Sequence, residues 1–143
     1  MKNADDFYMG VALAAARQSY ALKRQVGVVA VKGPSILDFS YNGTLPGADN
    51  TCERELPDGR LETLPGVLHA EEHLLIKLAR RHGGAAGATF YCTLSPCEQC
   101  ARMMAAAGIA ELVYMEEHKT AGLDLLESYL VPTRQYVPSE SGI

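Results

Sequence analysis

The order in which apolar patterns follow one another constrains the fold more than any other feature of this sequence. Segments with helical spacing alternate with short apolar runs, rich in β-branched residues, that are typical of buried strands. After a first helix and a predicted hairpin, each helix is followed by a strand. This alternation predicts a mixed α/β sheet with helices on both faces. The 143 residues suffice for one domain, which we expect to span residues 1–143.

The predicted elements follow the order α-β-β-loop-α-β-α-β-α-β. The first helix, Asp5–Tyr20, has two acids at its start, where the helix dipole favours them. The remaining predicted helices are Val67–Arg81, Pro96–Ala107 and Leu123–Leu130, and the predicted strands are Val26–Val31, Ile36–Ser40, Ala88–Thr93, Ile109–Met115 and Arg134–Val137. Residues 41–66 are rich in turn signals and predict a long loop, and long loops of this kind are often functional. Residues 138–143 are predicted to form a tail.

Charge and hydropathy exclude several classes of partner. Lys and Arg total 13 against 17 Asp and Glu, for a net charge of −4. A nucleic-acid polymer usually requires a basic surface, so we expect no polymer partner. No run approaches the roughly 18 apolar residues of a membrane helix. At the N-terminus, acidic residues precede any apolar run, whereas a signal peptide has an apolar run after a basic start. We therefore expect a cytoplasmic protein whose thiols stay reduced, in the cytoplasm of a host cell if the chain is phage-encoded.

Two short motifs, each predicted to start a helix, carry the chemistry. They are His69-Ala-Glu71 and Pro96-Cys97-Glu-Gln-Cys100. Two cysteines three residues apart at a helix start lie on one face, the usual spacing for two thiolate ligands of one tetrahedral ion. The positive end of the helix also favours the thiolate form. With His69 as the third ligand, one zinc position stays open, as is typical of a catalytic rather than a structural zinc.

Glu71 is placed to act beside the ion rather than to bind it. It lies two residues beyond His69, so on a helix the two side chains do not point along the same line. Zinc lowers the pKa of water, and a carboxylate nearby can take the proton and pass it on. Such a site suits hydrolytic removal of an amino group from an aromatic carbon. The pattern H-x-E followed by P-C-x-x-C is that of zinc-dependent base deaminases.

Each residue also has a plainer interpretation when taken alone. The Cys97–Cys100 pair could be a redox pair or half of a structural zinc site, His69 could cap a helix, and Glu71 could be an ordinary first-turn acid. Together, and in this order, they favour the catalytic site. His73 lies four residues after His69, as in zinc proteases, but Ala70 stands where a protease has its glutamate. Cys92 is expected in the core, and Cys52 has no evident partner set for a second metal.

These residues resemble the cytidine deaminase superfamily and, within it, the deoxycytidylate (dCMP) deaminase family with its phage-encoded members. The resemblance covers about Phe7 to Val137. Besides the two motifs, it rests on Gln25-Val-Gly-Val, Tyr41-Asn-Gly-Thr44 with Pro46-Gly47, and Asp49-Asn-Thr-Cys-Glu53. The resemblance implies a three-layer α/β/α sandwich around a five-stranded mixed sheet. That architecture agrees with the order of elements along the chain.

The resemblance also implies a role for individual residues. His69, Cys97 and Cys100 would bind Zn²⁺, and Glu71 would be the proton shuttle. The backbone N–H of Ala70 and the carbonyl of Ser95 would hold the pyrimidine edge. The further predicted substrate-binding residues are Asn42 for the sugar, together with Thr44, His73, His118 and Lys119.

Three positions depart from the family pattern. The family usually has Asn where this chain has His73, a Tyr near His118 and often an Asp close to Ala121. These positions lie near the pocket in the family, and His118 and Lys119 are candidates for contact with a phosphate. Lys23 and Arg24 fall in the general region of the family's regulatory site, but two basic residues after a helix are commonplace.

We therefore predict zinc-dependent conversion of a free pyrimidine deoxynucleotide, dCMP to dUMP plus ammonia. One alternative is a deaminase of a nucleoside, a modified cytosine nucleotide or a base within RNA. Another is a catalytically silent zinc-binding subunit. The resemblance further implies a homo-oligomer, a dimer or a hexamer, with dCTP and dTTP as effectors.

Overall fold

The computed structural model describes residues 1–140. Helices and strands alternate within this part of the chain much as the sequence predicts. In chain order the elements are α1 (Ala4–Ala16), β1 (Gly27–Lys32), β2 (Ser35–Tyr41), β3 (Glu53–Glu55), β4 (Leu61–Thr63), α2 (Ala70–Arg81), β5 (Thr89–Leu94), α3 (Glu98–Ala106), β6 (Glu111–Glu116), α4 (Ala121–Ser128) and β7 (Thr133–Gln135).

Five strands form the central sheet in the order β2-β1-β5-β6-β7. β1 is antiparallel to both β2 and β5, whereas β5, β6 and β7 are parallel. The hairpin β1–β2 therefore forms the antiparallel side of the sheet, and the strand–helix units form its parallel side. This arrangement confirms the predicted five-stranded mixed sheet.

The strand β1 shows why both faces of the sheet are covered. Successive strand residues point to opposite faces, so its unbroken apolar run supplies two cores. Val28 faces the core that α2, α3 and α4 cover, and Val29 faces the core that α1 covers. Gly27 lies so close to α1 that a Cβ atom there would overlap the Ala12 carbonyl oxygen. The layers α1, sheet and α2–α4 confirm the predicted α/β/α sandwich.

Several predicted helix ends are wrong because polar side chains and backbone pairing override apolar spacing. α1 ends at Ala16 rather than Tyr20, since the Ser19 hydroxyl accepts the Ala21 N–H in a turn. α2 begins at Ala70 rather than Val67, because Leu68 pairs its N–H and C=O with Gly43. The differences at α3, α4 and at the five strands of the sheet are two residues or fewer at each end.

The predicted loop 41–66 contains a hairpin that the sequence pattern does not reveal. β3 pairs antiparallel with β4 and forms a two-stranded sheet apart from the central one. Its facing pairs include Glu53 with Thr63 and Arg54 with Glu62. These strands have three residues each and are mostly polar, so neither apolar alternation nor β-branching indicates them.

The segment after β7 is attached to α1 at Ser139. The Asp6 carboxylate accepts hydrogen bonds from the Ser139 N–H and hydroxyl and from the Tyr136 hydroxyl. Of the predicted tail 138–143, residues 141–143 lie outside the described part of the chain. Among residues 1–140, no helix combines the length and apolar character needed to cross a bilayer.

Candidate metal centre and active site

The starts of α2 and α3 bring three potential metal ligands together. His69 is the N-cap residue of α2 and Cys97 is the N-cap residue of α3. The His69 Nδ1 atom lies 3.5 Å from the Cys97 Sγ atom and 3.3 Å from the Cys100 Sγ atom. All three ligand atoms lie within 4.8 Å of one another. Among residues 1–140 this is the one such group that could hold a metal ion.

Close packing beneath the two helix starts explains why they meet. α2 and α3 cover the same face of the sheet and contact each other through buried small residues such as Ala70 and Ala101. On the far side, α4 approaches the turn before α3. A Cβ atom at Gly122 would overlap the Pro96 carbonyl oxygen. Glycine is therefore required at the point where α4 supports the cysteine-bearing turn.

The three residues fit a zinc ion. Zinc bonds of about 2.0–2.3 Å in a tetrahedral arrangement place neighbouring ligand atoms about 3.5 Å apart. The measured separations of 3.3 and 3.5 Å match that spacing. One imidazole nitrogen and two sulfur atoms are the donors zinc prefers, and three protein ligands leave a fourth position for another molecule.

The local electrostatics favour a thiolate at Cys97. Hydrogen bonds from the Cys100 thiol and from His69 lower the pKa of Cys97 to about 3. The His69 pKa rises to about 9, chiefly because its ring hydrogen-bonds to the Cys97 sulfur. Hydrogen bonding to Cys97 and burial raise the pKa of Cys100. These shifts place a thiolate at Cys97 beside a protonated His69 ring and a Cys100 thiol, so binding of a metal ion by all three would release the His69 and Cys100 protons.

Two successive acids in α2 have different environments. Glu72 lies at the surface of the helix start, where its carboxylate accepts the His69 N–H at 2.8 Å. This bond holds the histidine backbone and satisfies a free helix N–H. Glu71 is only 4% exposed and lines the cavity beside His69 and Cys97. Its burial raises its pKa to about 7, so it can hold or release a proton near neutral pH.

A cavity of about 440 Å³ opens over the ligand group. Its inner wall carries His69, Glu71 and Cys97, and we call this the metal wall. A second group of lining residues, which we call the mouth wall, comes from the segments that follow α1, β2 and β6 and from the hairpin β3–β4 with Cys52 before it. It consists of Ala21, Lys23, Arg24, Val26, Asn42, Cys52, Glu53, Thr63, His118 and Lys119.

The cavity unites most of the predicted substrate-binding residues. Asn42, Ala70, Ser95, His118 and Lys119 all line it. Their contacts with a substrate remain predictions.

Two predicted residues lie elsewhere. Thr44 and His73 line an adjacent groove of about 290 Å³, where the His73 Nε2 atom lies 3.2 Å from the Gly43 carbonyl oxygen. Asn42 and Cys52 border both spaces. A substrate in the main cavity would therefore reach Asn42 more directly than His73.

Side-chain-to-backbone hydrogen bonds hold the mouth wall. The Asn42 amide accepts the Val26 N–H at 2.9 Å and donates to the Arg24 carbonyl at 2.8 Å. The buried Ser95 hydroxyl accepts the His118 N–H at 2.9 Å and donates to the Lys119 carbonyl at 3.2 Å. Asn42 and Ser95 therefore each fix a segment that carries basic side chains.

Sequence reasoning missed the three charged residues Lys23, Arg24 and Glu53 of this wall as parts of the site. Lys23 and Arg24 line the same cavity as the metal group, and Glu53 joins them there from the start of β3. The pair of basic residues after α1 is visible in the sequence, but no local spacing connects it with the motifs. Cys92 is buried in β5 as predicted, and Cys52 is buried without belonging to a metal-binding group within the described residues.

Comparison with known proteins places these observations in a family. The family model for the cytidine and deoxycytidylate deaminase zinc-binding region matches residues 2–116. A deoxycytidylate deaminase of Mycobacterium phage D29 is 35% identical over 79% of this chain and 94% of its own length. One from Schizosaccharomyces pombe is 35% identical over 97% of this chain and 46% of its own length. The chain thus spans about half of the yeast relative and nearly all of the phage relative.

A solved structure shows the same fold at comparable identity. The dCMP deaminase of the cyanophage S-TIM5, crystallised with dCMP and dUMP, superposes with a TM-score of 0.86 at 35% identity. The match covers 95% of this chain and 98% of the cyanophage chain. This chain therefore shares its fold with a protein that was crystallised with dCMP and dUMP.

Proposed function

The chain belongs to the zinc-binding family of cytidine and deoxycytidylate deaminases, and from that premise we propose that it hydrolyses dCMP to dUMP and ammonia. The observation that carries the proposal is the buried carboxylate of Glu71 beside a His-Cys-Cys group at the base of a cavity. The S-TIM5 relative, whose crystal structure contains dCMP and dUMP, supports this choice of substrate.

His69, Cys97 and Cys100 would hold the zinc ion of this family, which when bound supplies a Lewis acid that activates water at the open position. Glu71 would accept the proton of the attacking water and deliver it to the amino group as that group leaves. In the reaction, a C4–O bond forms, the C4–N bond breaks, and nitrogen departs as ammonia. A pKa near neutrality suits a carboxylate that must both take and give a proton.

Two backbone groups that line the cavity are suited to bind the pyrimidine base. The Ala70 N–H, at the start of α2, and the Ser95 carbonyl, at the end of β5, would bind the pyrimidine edge. Asn42 would contact the sugar. Its Oδ1 and Nδ2 atoms already bond to the backbone, but a carboxamide has further capacity for a hydroxyl group. Thr44 and His73 would act only indirectly, by shaping the adjacent groove that Asn42 also borders.

The mouth wall suits a phosphate. Lys23, Arg24 and Lys119 border one cavity in a chain whose net charge is −4. Arg24 also pairs with Glu116 at 3.6 Å, and the Glu53 carboxylate on the same wall accepts two backbone N–H groups. The lysines and Arg24 together still favour a small anion in this cavity. His118 adds a fourth potential donor. These groups favour a nucleotide over a nucleoside.

The finer features of the assembly and its setting are also part of the proposal. We propose a homo-oligomer, a dimer or a hexamer, that works in the cytoplasm as one deaminase domain over residues 1–143. Effects of dCTP and dTTP on its kinetics would follow from the resemblance to regulated relatives. Sedimentation with and without each nucleotide, together with initial rates, tests both points.

The decisive experiment measures ammonia release from dCMP by the purified zinc-replete protein. Wild type should turn over dCMP, and Glu71→Ala should lose about 10²–10⁴-fold in kcat while retaining zinc. Deoxycytidine serves as the matched substrate that lacks only the phosphate. Turnover of deoxycytidine but not dCMP would establish a nucleoside deaminase instead. Zinc binding without turnover of either would favour a catalytically silent subunit.

A further inference from the structure

Glu53 is an acid placed where a basic nucleotide-binding wall would not be expected to contain one. It begins β3, is only 7% exposed, and borders the same cavity as Lys23 and Arg24. Its Oε2 atom accepts the backbone N–H of Leu22 at 2.8 Å and that of Lys23 at 3.0 Å. The carboxylate therefore binds the backbone of the segment that carries the basic side chains.

Apart from Glu53, that segment is attached near Lys23 by the ion pair between Arg24 and Glu116, at 3.6 Å. It connects α1 to β1 without regular secondary structure, and the Leu22 side chain is 75% exposed. Its two ends are attached separately. Near the beginning, the Ser19 hydroxyl accepts the Ala21 N–H and the Ser19 carbonyl accepts the Gln25 side-chain amide. At the end, the Asn42 side chain donates to the Arg24 carbonyl and accepts the Val26 N–H. Glu53 supplies the attachment between these ends, next to Lys23.

We propose that Glu53 is a positioning residue whose carboxylate holds the 21–24 segment so that Lys23 and Arg24 face the cavity, and that it thereby sets the preference for a phosphorylated substrate. This inference rests on the proposed nucleotide function. The hairpin β3–β4 is then the element that shapes the phosphate side of the site.

The direction in which nucleotide affinity changes when Glu53 is replaced distinguishes a positioning role from a purely electrostatic one. A carboxylate near a phosphate repels it, so a charge effect alone predicts that any neutral replacement tightens nucleotide binding. A positioning role predicts the opposite for Glu53→Ala, which removes both hydrogen bonds. Glu53→Gln retains a carbonyl oxygen that can accept both N–H groups, so it should preserve the segment.

The experiment compares Glu53→Ala, Glu53→Gln and the control Glu55→Ala in the zinc-loaded full chain. Glu55 lies on the same strand, is exposed, and does not border the cavity. We expect Glu53→Ala to raise KM for dCMP about tenfold, with kcat and the KM for deoxycytidine within about twofold of wild type. Glu53→Gln and Glu55→Ala should leave KM for dCMP unchanged or lower.

Two results would overturn the inference. A lower KM for dCMP in Glu53→Ala would mean that only charge acts. An equal loss on dCMP and deoxycytidine would mean that the residue merely supports the fold. Amide hydrogen exchange gives an independent readout, since Glu53→Ala should speed exchange at Leu22 and Lys23 while Glu53→Gln should not. Unchanged exchange in Glu53→Ala would also refute the positioning role.

Calorimetry with dUMP and deoxyuridine separates this inference from the proposed function. A wild type that binds dUMP more tightly than deoxyuridine but does not deaminate dCMP would refute the proposed reaction alone. The ratio of the affinities for dUMP and deoxyuridine would then be measured in Glu53→Ala to test the role of Glu53. We expect this ratio to fall about tenfold relative to wild type. A wild type that does not distinguish dUMP from deoxyuridine would overturn the inference.

Discussion

The metal wall and the mouth wall of the cavity are built in different ways. On the metal wall, the functional side chains occupy the starts of α2 and α3, within a few residues of helix caps packed on a buried core. On the mouth wall, they lie on irregular segments after α1 and β6. The side-chain oxygens of Asn42, Glu53 and Ser95 accept hydrogen bonds from backbone N–H groups of those segments and so hold them.

This difference separates the groups proposed for the deamination reaction from the groups proposed for substrate preference. The packed metal wall fixes the ligand atoms and Glu71, the groups that we propose carry out the reaction. The mouth wall presents cations that would distinguish a nucleotide from a nucleoside, and it can change without disturbing the core. Changes on the metal wall should therefore abolish the reaction, whereas changes on the mouth wall should redirect or weaken it.

The largest expected effect is on the ligand group behind the metal wall, with Cys100→Ser, because the Cys100 Sγ atom lies 3.3 Å from the His69 Nδ1 atom. A serine hydroxyl fits the space but is a poor zinc ligand, so zinc content should fall from about one per chain toward zero. Activity on dCMP should drop below about a hundredth of wild type. Metal analysis after gel filtration, with initial rates on the same sample, measures both.

Cys52→Ser is the matched control, because Cys52 borders the cavity but belongs to no metal-binding group in residues 1–140. It should retain zinc. A Cys100→Ser protein with full zinc content would contradict the ligand assignment and, with it, the distinction between the two walls.

A smaller effect is expected on the mouth wall, with Asn42→Ala. Losing the bonds to Val26 and Arg24 frees the end of the segment that carries the basic residues. We expect kcat/KM for dCMP to fall about tenfold, with zinc content unchanged. A fall as large as that of Cys100→Ser, accompanied by zinc loss, would show that the two walls are not separable.

The same contrast explains what the sequence could reveal. His69, Cys97 and Cys100 are predictable because imidazole and thiolate at those spacings have few other uses. Glu53 is not, because its partners are backbone N–H groups, which every residue except proline carries alike, and Ser95 is reached only through the family resemblance. The sheet and its layers follow from apolar runs such as β1, whereas the hairpin β3–β4 has too few apolar residues to be recognised.

A region outside the cavity tests whether stability and activity can be separated. Hydrogen bonds from the Ser139 and then the Tyr136 hydroxyl lower the Asp6 pKa below its ordinary 3.8. A lowered pKa in the folded state stabilises the protein above about pH 3.8, and that contribution is lost as the pH falls below it. Asp6→Asn should therefore lower the melting temperature at pH 7, and the difference from wild type should shrink below pH 4.

Thermal melts from pH 7 down to pH 3 measure this effect, with Tyr136→Phe as a milder companion that removes one donor to Asp6. Initial rates on dCMP at pH 7 and 25 °C should stay near wild type in both variants. A pH-independent loss of stability would show that packing, rather than the carboxylate charge, attaches the C-terminal segment to α1.

The smallest effect is expected for His73→Asn, which restores the residue usual in the family. His73 borders the adjacent groove, and its ring lies against the Gly43 carbonyl rather than in the main cavity. An asparagine amide is too short to replace the Nε2 contact, but that contact lies in the adjacent groove, so kinetics on dCMP should change less than about twofold. Rates on dCMP and on other cytosine nucleotides measure this. A larger change, or a new preferred nucleotide, would make the groove part of the substrate site and extend the mouth wall beyond Asn42.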